Sequence, residues 1–290
     1  MLVGLIISMR PRQWPKNAFV FVALLFDRKA LDPTSVLAAL AAFVLLCLMS
    51  SAVYLMNDLV DIESDRQHPT KKNRPLPSGR LNPRVAAVAA LLLAAFSLAA
   101  GYWMNLQLAV ILLLYLLLQI AYTFRLKHVV LLDVLTIAAG FILRIAAGVV
   151  VIDVERFSPW LYVFGGFLAL FMALGKRRYE LVLLGGRAAS HRAILDDYNL
   201  ALIDRLQSIV TTSVVVAYSL YTFLAEGLPE NNAMMLSIPF LLYGIFRYLF
   251  LIHVRNEGGA PEEILLRDRP LQLTLLLYGV TVFIALYVLS

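Results

Sequence analysis

Three aspartates and an asparagine are crowded where a long apolar stretch of the chain ends. They lie in the run YLMNDLVDIESD, as Asn57, Asp58, Asp61 and Asp65. If a helix continues through this run, the three carboxylates are three and four residues apart and share one face, where they repel each other. They also lie at the negative end of the helix dipole, which disfavours anions. We therefore expect a cation on this stripe; a solvated acidic helix end is the alternative.

Magnesium suits these four side chains best, because it takes one or two carboxylates and completes its octahedron with water and substrate phosphate. A basic segment follows at once, in which three prolines and a glycine between residues 69 and 79 prevent a long helix. This ordered loop or lid carries the cations Arg66, Lys71, Lys72, Arg74 and Arg80. Carboxylates beside cations are what a diphosphate needs, since a metal and basic side chains share its oxygens. Each basic residue taken alone could equally anchor the membrane topology.

A second cluster of charges, GKRRYE, follows the sixth apolar stretch. Lys176 and Glu180 are one helical turn apart and share a face. The predicted substrate-binding residues of this segment and the loop after it are Lys176, Arg177, Arg178, Glu180, Asp197 and Tyr198. The alternative for the basic residues is a helix end whose positive charges complement the dipole. The alternative for Asp197 and Tyr198 is that they are simply solvated loop residues. Together with Asp58 and Asp61, Lys176 is a candidate catalytic residue.

Two further basic features lie outside these clusters. The segment RPRQWPKN at residues 10–17 could bind anionic head groups, with Lys16 as a candidate substrate ligand, or simply anchor the chain at the interface. Arg144 falls near the middle of a predicted span, where a charge faces a bundle interior or a wet cavity more often than lipid. Substrate binding and a buried ion pair both remain open for Arg144, whereas Arg247, nearer a helix end, is expected to snorkel.

The composition is typical of a multi-pass membrane protein. Of the 290 residues, 61% are hydrophobic and 15% are charged, which is too apolar for a soluble domain. The net charge of +6 comes from basic residues in short loops, so membrane topology explains it better than a nucleic-acid partner. The single cysteine, Cys47, excludes a disulfide within the chain. No cleavable signal peptide is expected.

Nine apolar stretches predict an all-α fold with about nine transmembrane helices in one domain, residues 1–290. Eight can cross a bilayer of about 30 Å; a shorter one, 17–31, is interrupted by charges. The eight are 34–57, 85–104, 106–123, 130–152, 159–175, 206–225, 234–252 and 271–289. Residues 2–9 predict a short interfacial helix. Loops on one side carry twenty Lys and Arg residues against three on the other. The positive-inside rule then puts the motif loops 57–84 and 176–205 on the cytoplasmic face.

The run NDLVDIESD followed by RPLPSG resembles the first Asp-rich motif of the UbiA-type intramembrane prenyltransferase superfamily. That resemblance implies nine helices around a central cavity that opens to the cytoplasm. The usual second motif of the superfamily has paired aspartates, and this chain has Lys176 and Glu180 instead, so members that prenylate aromatic acceptors match poorly. RPRQWPKN, LKHVVLLDV, GFILRIAAG and ALGKRRYEL are similar to the branch that transfers a phosphoribosyl group to a polyprenyl phosphate.

The resemblance to this branch implies that the lipid is the nucleophile. A polyprenyl (decaprenyl) phosphate would attack the anomeric carbon of phosphoribosyl pyrophosphate (PRPP) as magnesium pyrophosphate leaves. The implied Mg²⁺ ligands are Asn57, Asp58, Asp61 and Asp65. The implied phosphate ligands are Lys71, Lys72, Arg74 and the Lys176–Arg178 group. The enzyme would lie in the cytoplasmic membrane and feed cell-envelope arabinan synthesis.

Two other functions stay open from the sequence. Within the same fold, the chain could transfer a prenyl group from a polyprenyl diphosphate to an aromatic or other acceptor. A transporter for an anionic solute is the third possibility. Against it, the polar residues gather on one face of the membrane, and no paired broken helices are evident at the midplane. The sequence predicts neither the lipid chain length nor the oligomeric state.

Overall fold

The computed structural model describes residues 2–68, 71–152, 154, 157–184, 193–257, 264–265 and 267–289. These residues form helices and connecting turns, with no β-strand among them. The α-helices are α1 (Leu2–Met9), α2 (Phe21–Phe26), α3 (Pro33–Val60), α4 (Ile62–Gln67), α5 (Pro83–Met104), α6 (Leu106–Phe124), α7 (Leu132–Val151), α8 (Pro159–Leu184), α9 (Leu200–Leu224), α10 (Ile238–His253) and α11 (Arg269–Tyr287). The 3-10 helices are Pro11–Val20, Lys71–Asn73, Leu126–His128, Ala193–Asp197 and Ala233–Ser237. The predicted all-α class is confirmed.

Eight helices of the described chain are long and apolar enough to cross a membrane, and they coincide with the eight longer predicted spans. The ninth predicted stretch, 17–31, is not among them. It contributes instead to the 3-10 helix Pro11–Val20, which contains Pro15, and to the short α2. A proline inside a helix removes one backbone donor, which disfavours a regular α-helix there. Three of the loop arginines that were counted to predict the membrane orientation lie outside the described residues, namely Arg156, Arg187 and Arg192.

Short polar side chains begin the long helices. Asp32 accepts hydrogen bonds from the backbone N–H groups of Thr34 and Ser35, at 3.4 and 2.9 Å, at the start of α3. The corresponding caps of α5, α6, α9 and α11 are Asn82, Asn105, Asn199 and Asp268. Such caps satisfy backbone donors that the first helical turn leaves without partners. The hydrogen bonds from Ser35 hold the pKa of Asp32 below its ordinary value.

The chain divides into two compact units, and the single transmembrane domain stays a prediction from sequence. Unit 1 contains Met1–Leu24, Lys29–Leu126 and Leu143–Asp153. Within it, α3 packs against α1, α5, α6 and the 3-10 helix Pro11–Val20. Its core is apolar and includes the fully buried Leu46. Unit 1 therefore carries the predicted Asp-rich motif and the segment RPRQWPKN.

Gly148 allows the second half of α7 to approach the 3-10 helix of unit 1 closely. A Cβ atom at this position would lie 2.0 Å from the carbonyl oxygen of Val20. No side chain larger than hydrogen fits there without moving the backbone. This contact keeps the part of α7 that carries Arg144 against the segment that carries Asn17.

Unit 2 contains Leu25–Arg28, Lys127–Ile142 and Val154–Ser290. Within it, α8 packs along α9, and α10 packs along α11. Arg247 of α10 donates to both carboxylate oxygens of Asp268, at 3.2 and 2.8 Å. The sequence predicts snorkelling for this arginine and does not foresee the ion pair. The hydrogen bonds from Arg247 hold the pKa of Asp268 below its ordinary value.

Candidate functional site

The acidic cluster lies where α3 ends in unit 1. It comprises Asn57, Asp58, Asp61 and Asp65. The α-helix is interrupted within this cluster, because α3 ends just before Asp61 and α4 begins just after it. Asp61 itself has φ −95° and ψ 10°. Backbone hydrogen bonds still join Asp61 N–H to Asn57 (3.0 Å) and Asp65 N–H to Asp61 (2.8 Å). The result is a bent helix end rather than the straight stripe that the sequence predicts.

Three basic side chains contact the two buried carboxylates of the acidic cluster. Arg74 Nη1 lies 2.7 Å from Asp65 Oδ2 and 3.2 Å from Asp58 Oδ1, so one guanidinium bridges both. Arg10 donates a hydrogen bond to Asp58, and Lys71 Nζ lies 3.7 Å from Asp65. Both aspartates are only 2% exposed, so these cations offset a repulsion that burial would otherwise make costly. Basic side chains thus supply the positive charge that the stripe requires.

Arg10 belongs to this cluster, although the sequence analysis does not assign it there. Its backbone is left-handed, with φ 54° and ψ 59°, a region sparsely populated by residues other than glycine. Its guanidinium lies 4.8 Å from the centre of the Tyr54 ring. The same segment is anchored by Trp14, whose Nε1 donates to Ser51 Oγ at 3.1 Å. The only sequence signal was the basic character of RPRQWPKN, which interfacial anchoring explains equally well.

Residues 71–82, in the segment after α4, bury several apolar side chains. Pro75, Leu76 and Leu81 are buried, the two leucines in a core cluster with residues of α1, α3 and α5. Gly79 makes the turn with φ 77°, which favours glycine. This packing fixes the position of Arg74 next to the carboxylates. The expectation of an ordered loop or lid stays a prediction, since residues 69 and 70 lie outside the described residues.

The remaining predicted residues of unit 1 sit in different surroundings. Asn57 accepts a hydrogen bond from the Thr123 hydroxyl of α6. Arg66 is exposed and pairs with Glu63 at 2.7 Å, and Lys72 is exposed as well. An exposed ion pair contributes little to stability, so Arg66 can exchange that partner for a ligand. Their assignment to substrate binding stays a prediction, as does that of the half-buried Lys16.

Arg144 is buried in unit 1, with partners on other elements. Its Nε donates to Asn17 Oδ1 at 2.7 Å, and its Nη2 donates to the Tyr115 hydroxyl at 2.8 Å. Asn17 in turn donates to Ser50 Oγ at 3.3 Å. Of the two roles left open by the sequence, these contacts support a structural one. Substrate binding by Arg144 stays a prediction.

In unit 2, α8 continues unbroken through GKRRYE, so this cluster lies on a helix that extends beyond the predicted span. Arg177 donates to Asp133 Oδ2 at 2.7 Å and to Glu180 Oε2 at 2.6 Å. Asp133 also accepts a hydrogen bond from the Tyr198 hydroxyl at 2.7 Å. The oxygen of that hydroxyl accepts from the backbone N–H of Leu131 at 2.8 Å. Arg177 and Asp133 are 2% and 0% exposed, so this is a buried network.

The buried network ties the segment after α8 to the start of α7. Burial and the hydrogen bond to Asp133 raise the pKa of Tyr198, which therefore remains a protonated donor. A substrate could reach Arg177 or Tyr198 only by breaking these contacts. The sequence assigns both residues to substrate binding; that remains a prediction, and a structural role explains their surroundings as well.

The other members of the second cluster are closer to water. Arg178 donates to Asp204 Oδ1 at 2.9 Å and to the carbonyl oxygen of Ile252 at 3.0 Å. Lys176 is half-buried, and Asp197 is exposed. A phosphate could bind Lys176 or Arg178 without breaking a fully buried ion pair. These two residues are therefore better placed to meet a substrate than Arg177.

The oxygen atoms of the acidic cluster suit a hard divalent cation. Within the described ranges, no three His, Cys, Asp or Glu side chains come close enough to hold a metal ion by themselves. Mg²⁺ does not need three, because it takes one or two carboxylates and binds water and phosphate oxygens at its other positions. Asp58 and Asp65, with the amide oxygen of Asn57, therefore fit Mg²⁺ that arrives with a substrate diphosphate, and Asp61 stays a predicted ligand and catalytic candidate.

Comparisons with known proteins agree with this architecture. The chain is 37% identical to the decaprenyl-phosphate phosphoribosyltransferase of Mycolicibacterium smegmatis, over 98% of this chain and 92% of that protein. It is 35% identical to the protein of the same name from Mycobacterium tuberculosis, over 97% and 94% of the two chains. The structure of a UbiA homologue from Archaeoglobus fulgidus bound to DMAPP and Mg²⁺ has a TM-score of 0.74 at 18% identity, and covers 99% of this chain and 100% of that one. Residues 17–263 match the model of the UbiA prenyltransferase family. The chain is therefore a multi-pass membrane protein that belongs to the UbiA prenyltransferase family.

Proposed function

We propose that this chain transfers the 5-phosphoribosyl group of PRPP to a polyprenyl phosphate, with decaprenyl phosphate as the first candidate, and releases pyrophosphate. The observation that carries the proposal is the identity to decaprenyl-phosphate phosphoribosyltransferases over nearly the whole chain. The residues of the second cluster support it, because Lys176 and Glu180 stand where the sequence pattern of prenyl-diphosphate enzymes has paired aspartates. A lysine in place of one of these aspartates suits a phosphorylated sugar or lipid.

The acidic cluster is the proposed site for the diphosphate of PRPP. Mg²⁺, when bound there, supplies a Lewis acid that stabilises charge on the departing pyrophosphate. Asn57, Asp58, Asp61 and Asp65 would hold the metal, and its charge would replace that of the basic partners of Asp58 and Asp65. Arg10 and Arg74 would then be able to donate to phosphate oxygens, for which a guanidinium has matching geometry. The cations that balance the carboxylates in this structure thus become ligands of the substrate.

The proposed transfer forms one bond and breaks one. A phosphate oxygen of the lipid attacks the anomeric carbon of PRPP, and the bond from that carbon to pyrophosphate breaks with its electron pair on pyrophosphate. No general base is required, since a phosphate monoester is already an anion at neutral pH. We assign the other phosphates to Lys71, Lys72, Lys176 and Arg178, as the sequence predicts. The buried Arg177 and Tyr198 are assigned positioning roles.

We place the reaction at the cytoplasmic face of the cell membrane. The proposed phosphate ligands lie in loops or at helix ends on the side that carries twenty of the Lys and Arg residues, which the positive-inside rule assigns to the cytoplasm. PRPP is a soluble, highly charged metabolite and must reach the site from water. The product would be a phosphoribosylated lipid for cell-envelope arabinan synthesis.

A donor-exchange assay tests the proposal. Purified protein in liposomes receives radiolabelled PRPP and decaprenyl phosphate in one reaction, and a prenyl diphosphate with an aromatic acceptor in a parallel one. We expect label from PRPP to enter the lipid fraction only with Mg²⁺, and no product in the parallel reaction. Product formed only in the parallel reaction would establish the alternative, UbiA-type prenyl transfer. Uptake of labelled solute without chemical change would instead indicate a transporter.

A further inference from the structure

A polar pocket lies between α9 and α10, within unit 2. Its volume is about 230 Å³, and it is lined by Asp204, Gln207, Ser208, Thr211, Leu249 and His253. The four residues from α9 follow the spacing i, i+3, i+4 and i+7, so they share one face of that helix. The two from α10 are four positions apart, in its last turn and a half. No part of the proposed transfer uses Gln207, Ser208 or Thr211.

Gln207 is buried in this pocket without a hydrogen-bond partner. The side chain is 1% exposed, and neither its amide oxygen nor its amide nitrogen has a partner among the described residues. The Thr211 hydroxyl lacks one as well within the same part of the chain. Buried polar atoms are nearly always paired, and leaving one unpaired is costly. Three such atoms in one pocket point to a polar ligand.

The polar atoms specify what that ligand must offer. The Gln207 amide has two donors and an acceptor, and the Thr211 hydroxyl has one of each. The Asp204 carboxylate can accept hydrogen bonds but cannot donate them. Its Oδ1 already accepts a hydrogen bond from Arg178 Nε at 2.9 Å, and His253 Nε2 lies 3.5 Å from the same oxygen. Because Arg178 balances the charge of Asp204, the pocket favours a neutral group. A group with several hydroxyls donates and accepts at every position, as this pocket requires.

The surroundings of the pocket favour a lipid over a soluble polyol as its ligand. Phe246 and Phe250 of α10, one turn apart beside Leu249, are 59% and 38% exposed on a membrane-spanning helix that forms the pocket. Asp204 is four residues from the start of α9, about 6 Å along the axis, so the pocket opens close to one membrane boundary. A lipid at that depth would place its head group in the pocket and its chains on these apolar side chains.

We propose that this pocket binds a membrane lipid whose neutral head group carries hydroxyl groups, such as a glycosyl diacylglycerol. Gln207 and Thr211 hydrogen-bond the sugar hydroxyls, Asp204 accepts from one of them, and the exposed apolar side chains contact the acyl chains. This site is distinct in chemistry from the proposed PRPP site, because it needs neither a metal nor a phosphate.

Thermal unfolding in a detergent without sugar groups tests this proposal. The probes are monogalactosyl diacylglycerol and phosphatidylcholine with the same acyl chains, which are both neutral overall but differ in hydroxyl donors. A ligand that binds only the folded protein raises the melting temperature. We expect the galactolipid to raise Tm more than phosphatidylcholine does. Equal shifts for the two lipids would mean that the pocket holds only water, and would overturn the proposal.

Variants locate the effect in the pocket. Gln207→Leu removes the unpaired amide, so it should raise Tm without lipid and weaken galactolipid binding by about tenfold or more. Thr211→Val provides a second test, independent of whether the first variant folds. The control is Thr212→Val, because the Thr212 hydroxyl is exposed and already bonded to Ser208 O at 3.1 Å. A galactolipid shift that survives in both pocket variants, or is lost in the control, would refute the assignment.

Discussion

Replacing Arg177 with methionine separates a structural role for this residue from the substrate-binding role that the sequence suggests. Among the described residues, the change leaves the fully buried Asp133 carboxylate with one neutral side-chain donor, the Tyr198 hydroxyl. Removing one partner of a buried ion pair costs about 3–5 kcal/mol, because the remaining charge is uncompensated. Glu180 also loses its bond to Arg177, but its side chain is 24% exposed and solvent compensates much of that loss.

The expected stability loss is large enough to measure by thermal unfolding. For a domain of 150–250 residues, 1 kcal/mol shifts Tm by about 2–4 °C, so Arg177→Met should lower Tm by roughly 6–20 °C. The double variant Asp133→Leu/Arg177→Met removes both charges and should recover most of the loss. What remains is the Tyr198 O–H without its Asp133 acceptor, which costs about 1–3 kcal/mol, although the Tyr198 oxygen still accepts from the Leu131 N–H. Arg205→Met, at an exposed arginine of unit 2, should leave Tm unchanged.

The kinetics of the same variants provide the refutation. Below the melting temperature, Arg177→Met should bind PRPP with a nearly unchanged KM, since the buried guanidinium is engaged by Asp133. An unchanged Tm together with a strongly raised KM for PRPP would show that Arg177 contacts substrate. Failure of the double variant to recover stability would show that the buried pair is not the source of the loss.

Three other changes test separate parts of the structure. Asp58→Asn should lower turnover in the donor-exchange assay by about 100-fold or more, because metal affinity is lost. The far-UV circular dichroism spectrum should stay unchanged, and full activity would remove Asp58 from the site. Gly148→Ala should lower Tm, because its Cβ would lie 2.0 Å from Val20 O and overpacking costs about 1–3 kcal/mol; Gly279→Ala, with no atom within 4 Å, is the control. Arg247 lowers the pKa of Asp268 in the folded protein below the unfolded-state pKa near 3.8. The ion pair therefore contributes fully to stability above pH 3.8, and that contribution is lost as the pH falls through the folded-state pKa of Asp268. The Tm difference between wild type and Asp268→Asn should therefore shrink on acidification; a pH-independent difference would contradict this.

The positions of the long helices could be predicted from sequence because membrane burial is a local requirement. A span must supply about twenty apolar residues in succession, and eight such stretches became eight helices. The segment before Asp32 was harder, because its prolines and charges interrupt the pattern and it folds as a 3-10 helix followed by the short α2. Helix ends were also underestimated, since the polar helix formers of GKRRYE extend α8 beyond its apolar part.

Partners that are distant in sequence could not be predicted by the same reasoning. Lys71 and Arg74 are close to the aspartates along the chain, so their place beside the acidic cluster followed from the motif. Arg10 and Asp58 are 48 residues apart, and Asp133 and Tyr198 are 65 apart. Such pairs depend on how helices pack, which spacing along one helix does not encode. For the same reason, Arg144 had no partner evident on its own helix.

The direction of bond cleavage tests the central claim most directly. The protein is given PRPP and polyprenyl phosphate whose phosphate oxygens are all ¹⁸O, and the lipid product and the released anion are weighed by mass spectrometry. If the lipid phosphate attacks the anomeric carbon, every ¹⁸O atom stays in the phosphoribosylated lipid and the pyrophosphate is unlabelled. Release of ¹⁸O-labelled phosphate would mean that the lipid is the electrophile, and would contradict the proposed transfer.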